Sequence, residues 1–165
     1  MTISLERLLK HMAWANQETI KHLKTLPEAA LSAYATNPEW KVSEIIRHIV
    51  ESGNFYVFRI AGSFPSEVDE QETQPRNSSD LKVLAEKAEV IDKALLECEK
   101  LDDIEIEFVR KDGTKVKRWR STILSQAVHH ATEHRAQIAS ALEAKGFAPV
   151  DLDELDLWSY ESTHG

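Results

Sequence analysis

The 165 residues are enough for one domain with a hydrophobic core, which we expect to span residues 1–165. The 20 basic and 28 acidic side chains give a net charge of −8, which disfavours nonspecific attraction to nucleic acid or to an anionic membrane. A single cysteine, Cys98, excludes an internal disulfide. Because no basic stretch leads into an apolar run after Met1 and no segment has membrane-spanning length, we expect a cytoplasmic protein.

Two amphipathic helices are predicted near the amino terminus. Apolar residues recur at three- and four-residue steps from Ser4 to Leu26 and again from Val42 to Ile60. Ser4 is suited to cap the first helix, and Gly62 is suited to end the second. Residues 63–79 are mostly polar and lack periodicity, which predicts a long surface connection.

Two more helices and a β-hairpin are predicted after this connection. The third helix runs from Asp80 to about Leu101, with Ser78 or Ser79 as its cap. From Asp103 to Arg120 apolar and charged residues alternate around an Asp-Gly pair, which is typical of a short hairpin. A fourth helix starts at Ser121 or Thr122 and ends near Lys145.

These elements predict an all-α fold. Four amphipathic helices with one long crossover between the second and the third are most simply arranged as a four-helix bundle, to which the hairpin is a small addition before the fourth helix. The acidic tail from Asp151 onwards is expected to form a short helix or an extended cover on the bundle.

The fourth helix contains three histidines in the stretch "SQAVHHATEHRAQI". At 100° per residue, His134 lies within about 20° of the centre of the apolar stripe and His130 about 60° to one side, whereas His129 points to solvent. Histidines four residues apart stand one turn apart on one helix face, where they can bind the same metal ion.

A third ligand is needed, because zinc and similar ions usually bind at least three protein side chains. His48 meets this need, since it lies about 60° from the centre of the apolar stripe of the second helix. His11 and His22 fall on the polar side of the first helix, and His164 is almost terminal. Taken singly, each of His48, His130 and His134 could instead be a buried residue that hydrogen-bonds a carbonyl group.

A zinc-protease site is not supported by this pattern. That signature needs a glutamate directly after its first histidine, but Ala131 follows His130 and Glu133 comes two residues later.

Several stretches resemble the DinB-like family of DNA-damage-inducible and YfiT-type proteins. They are "MAWANQ" in the first helix, "WKVSEIIRHIVESGNFY" in the second, "HATEHRAQI" in the fourth and "DLDELDLWSY" near the carboxyl terminus. Lys41 and Ala136 depart from the family pattern, which usually has threonine and glycine at these positions.

The resemblance implies a four-helix bundle that holds one divalent metal ion with three histidines, corresponding here to His48, His130 and His134. It also implies a homodimer. Trp14 lies opposite the apolar stripe of the first helix, so it is expected either at a dimer interface or beneath the acidic tail.

Characterised members of the family include transferases and isomerases that use low-molecular-weight thiols. We therefore expect a metal-dependent transferase that activates such a thiol for attack on a small electrophile, with zinc, nickel, iron or manganese as the ion. A hydrolase that activates water and a non-catalytic metal-binding stress-response protein are the alternatives. No catalytic side chain is identified.

Other polar residues have weaker assignments. Gln126, Glu133 and Gln137 flank the histidines and could orient one of them, although each is more simply a solvated helix residue, as is Arg135. Asn16 is expected to be a buried hydrogen-bonding residue. The hairpin is rich in basic side chains, which could contact nucleic acid: Arg110, Lys111, Lys115, Lys117, Arg118 and Arg120. Because the protein as a whole is acidic, a solvated hairpin surface is the simpler interpretation.

Overall fold

The computed structural model describes residues 4–110 and 112–165. The elements in chain order are α1 (Glu6–Thr25), a short 3₁₀ helix (Glu28–Ser32), α2 (Val42–Ala61), α3 (Ser78–Glu99), β1 (Glu105–Val109), β2 (Lys115–Trp119), α4 (Arg120–Ala144) and α5 (Leu157–His164). The predicted helical fold with a small hairpin is confirmed. None of the described helices is long and apolar enough to cross a membrane.

The four long helices enclose one hydrophobic core. α1 packs against α3 and α4, and α2 packs against the same two helices. α2 and α4 are therefore neighbours, as the shared histidine site requires. The core is filled by aliphatic side chains from all four helices, among them Leu9, Ile46, Leu95 and Ile138, each of which is at most 1 % exposed.

Local chemistry explains where the helices begin and end. Gly62 ends α2 in a left-handed conformation with φ of 76°, as predicted. Asn77 caps α3 by accepting hydrogen bonds from the backbone N–H groups of Ser79 and Asp80, so the prediction of a serine cap is wrong. The predicted Ser4 cap is also wrong, because α1 begins after Leu5 without a side-chain cap among the described residues.

The hairpin lies directly before α4. β1 and β2 are antiparallel, with Glu105 opposite Trp119 and Phe108 opposite Val116. Of the basic hairpin side chains, Arg120 is buried at the start of α4 rather than solvated, and Lys111 lies outside the described residues.

The tail covers the side of α1 that the sequence predicts to be solvated. His11 is only 7 % exposed, and its Nε2–H donates to the carbonyl of Leu155 at 2.7 Å. The ring of Trp14 lies 5.5 Å from that of Tyr160 in α5, so the alternative that places Trp14 beneath the tail is confirmed. His22 donates to the carbonyl of Ala148 at 3.0 Å. The polar side of α1 is thus partly an interface within the chain.

Gly53 sets the closest approach between α2 and α3. A Cβ atom at this position would lie 2.9 Å from Cγ2 of Ile91 and 3.9 Å from Cδ1 of Leu95. The absence of a side chain in the middle of α2 therefore lets the two helices pack tightly.

We expect Gly53→Ala to destabilise the protein by about 1–3 kcal/mol, the usual cost of overpacking, despite the better helix propensity of alanine. Chemical denaturation of the variant and the wild type measures this difference. The double variant Gly53→Ala/Ile91→Ala removes the clashing atom, so it should be destabilised by less than the sum of the two single variants. A stabilised Gly53→Ala variant would contradict the close approach.

Candidate metal centre

Two helices bring three histidines together. His48 lies in the amino-terminal half of α2, and His130 and His134 lie one turn apart on α4. The Nε2 atom of His130 is 3.1 Å from Nε2 of His48 and 3.1 Å from Nε2 of His134. All three side chains are half-buried, and they form the one group of three or more metal-ligating side chains found among the described residues. The three residues that the sequence predicts as a set therefore converge.

The surroundings of His130 and His48 favour the neutral form of these two imidazoles. Burial, followed by repulsion from His134 and His48, lowers the pKa of His130 from its usual 6.5 to about 4. Burial is also the main cause that lowers the pKa of His48, with further contributions from His134 and Arg47. A neutral imidazole keeps a lone pair on one ring nitrogen, which is the state that binds a metal ion.

Gln137 orients the ring of His134. Oε1 of Gln137 lies 2.7 Å from Nδ1 of His134 and accepts a second hydrogen bond, of 2.8 Å, from Nε1 of Trp40. Because a carbonyl oxygen can only accept, the proton of His134 is on Nδ1 and its Nε2 carries the lone pair. Gln137 thus has the orienting contact that the sequence allows for Gln126, Glu133 or Gln137.

Aromatic side chains flank the cluster on both sides. The ring of Trp40 is 5.3 Å from that of His48 and 5.6 Å from that of His134. On the other side, the ring of Tyr56 is 5.9 Å from that of His130. These rings hold the imidazoles in place and reduce their contact with solvent, which strengthens electrostatic interactions at the cluster.

The geometry and the type of ligand both fit a divalent ion. At a tetrahedral zinc site with Zn–N bonds of about 2.0–2.1 Å, two ligand nitrogens are about 3.3–3.4 Å apart. The two distances of 3.1 Å are close to this value, and all three nitrogens lie within 4.8 Å of one another. Three neutral ligands would leave the charge of the ion uncancelled and at least one coordination position open. The cluster is therefore compatible with metal binding.

Comparison with known proteins identifies the family of this chain. The family model described as "DinB family" matches residues 1–163. The chain belongs to the DinB family. A comparison with curated proteins gives no match. In this DinB-family chain, the two histidine-containing stretches that carried the resemblance, one in α2 and one in α4, are the two that converge at the histidine cluster.

The remaining histidines of this DinB-family chain lie apart from the cluster. His129 is exposed, as the angular argument predicts. His164 packs against Tyr160 and Trp14 in the tail. His11 and His22 also contact segments that follow α4.

The burial of two charged side chains near the cluster, those of Arg135 and Asp92, was not predicted from the sequence. Arg135 is 3 % exposed rather than solvated, and its Nη1 donates to Oδ1 of Asn16 at 2.9 Å. Asn16 is therefore a buried hydrogen-bonding residue, as expected. Asp92 of α3 is also buried, and burial raises its pKa to about 7 against hydrogen bonding from Asn16 and attraction by Arg135. The Asp at position 92 gives a weak sequence signal, since it interrupts the apolar residues of α3.

The low pKa of His130 leads to a measurable titration in metal-free protein. We expect the imidazole resonances of His130 to change near pH 4, well below the usual 6.5 of histidine. His134→Ala should raise this midpoint, because it removes a neighbouring charge and admits solvent. Two-dimensional NMR spectra recorded between pH 3.5 and 8 measure both midpoints. A midpoint of 6.5 or higher in the wild type would contradict the buried, neutral cluster.

Proposed function

We propose that this DinB-family protein is a metal-dependent enzyme in which His48, His130 and His134 hold one divalent ion. The convergence of the three Nε2 atoms, with both neighbouring pairs 3.1 Å apart, is the observation that carries the proposal. Such an ion, when bound, supplies Lewis acidity that lowers the pKa of a thiol or a water molecule at its open position.

In this proposal, the protein keeps His48 and His130 neutral, orients His134 and limits the access of water. His48 and His130 stay neutral at physiological pH because burial lowers their pKa values. Gln137 fixes the tautomer of His134, and Trp40 in turn fixes Gln137. Trp40 and Tyr56 limit access of water from either side.

We further propose that the substrate pair is a low-molecular-weight thiol and a small electrophile. In this reaction the sulfur forms a bond to the electrophilic carbon, and the thiol proton leaves with the displaced group. The protein does not supply the thiol itself, since Cys98 is 4 % exposed in the core on α3 and burial raises the pKa of its thiol. The likeness to family members that use low-molecular-weight thiols supports this choice over hydrolysis.

The ligand set predicts a clear pattern of metal content. We expect His48→Ala, His130→Ala and His134→Ala each to lose the bound ion, because two imidazoles do not hold a divalent ion firmly. His129→Ala is the matched control from the same helix and should keep it, since His129 is exposed. Elemental analysis of the purified variants measures the content and names the ion. Full metal content in the His48 variant would contradict the three-histidine site.

The hydrogen bond between Gln137 and His134 is expected to strengthen metal binding. Gln137→Leu removes the acceptor of the His134 Nδ1–H group, and loss of such a contact usually weakens metal affinity by about 10–100-fold. Competition with a chromophoric chelator measures the affinity. Ser140→Ala, on the next turn of the helix, is the control and should leave the affinity unchanged. Equal affinities in all three proteins would contradict the role of Gln137.

Turnover separates the two candidate chemistries. We expect the metal-loaded protein to convert small electrophiles to thioethers only when a thiol such as glutathione or cysteine is present, with the activity lost in His130→Ala. Mass spectrometry identifies the products. Hydrolysed product in the absence of thiol would favour the hydrolase instead, and no turnover with any of the four metals would favour a non-catalytic metal-binding protein.

A further inference from the structure

A small cavity lies in the core next to the histidine cluster. Its volume is about 10 Å³, and its polar lining residues are Asn16, Tyr56, Asp92 and His130. The other lining side chains are apolar and come from all four long helices. A cavity of about 10–15 Å³ holds one water molecule when two or more polar groups face it.

Asp92 is the most unusual group in this lining. The residue is 7 % exposed, and its Oδ2 atom is fully buried and meets no hydrogen-bond partner among the described residues. Hydrogen bonding from Asn16 and the charge of Arg135 stabilise the carboxylate only in part, because its pKa remains at about 7. An unsatisfied buried carboxylate oxygen is costly, and a bound water would satisfy it.

His130 offers a matching donor. Its Nε2 atom faces the other two histidines in the cluster, which leaves Nδ1 for a different partner. Histidines that bind metals usually donate the second ring N–H to a carboxylate, a backbone carbonyl or a water molecule. His134 already has such an acceptor in Gln137.

We propose that Asp92 is a positioning residue of the metal centre: Nδ1–H of His130 donates to one water molecule in this cavity, and that water donates to Oδ2 of Asp92. This inference rests on the proposed metal site. The water-mediated contact fixes the tautomer of His130 and makes its Nε2 a stronger ligand. It also connects α3, which supplies no ligand, to the centre.

Two substitutions test the role of Asp92. Asp92→Asn keeps the shape but removes the charge, and Asp92→Leu also removes the hydrogen bond. We expect zinc affinity, measured by chelator competition, to fall in the order wild type, Asp92→Asn, Asp92→Leu, with the last weaker by about 10–100-fold. Glu51→Gln is the matched control, because Glu51 is a buried carboxylate that pairs with Lys87 and does not line the cavity.

The folding stability of Asp92→Asn distinguishes a positioning role of Asp92 from a purely structural one. The pKa of Asp92 is raised from 3.8 to about 7, so the folded state binds more protons than the unfolded state between these pH values. The stability contributed by this group is therefore present below pH 3.8 and is lost as the pH rises through 7. Asp92→Asn lacks this loss and should be at least as stable as the wild type at pH 8, although it binds zinc less tightly.

Nitrogen-15 NMR of the zinc-loaded protein gives a direct signature. We expect the Nδ1–H proton of His130 to exchange slowly and to shift in Asp92→Asn but not in Glu51→Gln. Folded Asp92 variants with wild-type zinc affinity and an unchanged His130 signal would overturn the inference while leaving the three-histidine site intact. Failure of the wild-type protein to bind zinc, nickel, iron or manganese would overturn both.

Discussion

The packing of α2 against α4 determines whether the three imidazoles can act together. His48 comes from one helix and the other two histidines from its neighbour, so a small rotation or shift of either helix would separate the nitrogens. The packing of the two helices resists such movement, because α2 and α4 contact each other along their length and Ile45, Ile49, Ala127 and Ala131 are all buried in the core. Trp40 and Gln137 add a hydrogen bond across the same seam. Helix packing therefore positions the cluster.

The crowding of the three imidazoles has an electrostatic cost for the protein. Three imidazole nitrogens lie close together in a half-buried position, and burial lowers the pKa values of His130 and His48, which disfavours protonation of these two rings. A divalent ion would relieve this crowding, since it binds the lone pairs that otherwise face one another. Arg135 of α4 and Asp92 of α3 are further buried side chains that can carry charge in the core. Buried charges of this kind contribute little net stability.

The sequence predicts most of the fold and the composition of the cluster because both depend on helix periodicity. His48, His130 and His134 are found by their angles to the apolar stripes, and Gly62 by the left-handed conformation that ends α2. Periodicity describes one helix at a time, however. It places His11 and Arg135 in solvent, whereas the tail covers the first and the bundle encloses the second. It also gives only a weak signal for Asp92, whose partners come from α1 and α4.

The most direct test is the position of the ion itself. Anomalous diffraction from crystals of the metal-loaded protein, recorded at the absorption edge of the metal that elemental analysis identifies, locates the ion without assumptions about the ligands. The account predicts one peak at about 2.0–2.2 Å from Nε2 of each of His48, His130 and His134, with at least one position open to a non-protein ligand. A peak elsewhere, or one that contacts only two of these histidines, would contradict it.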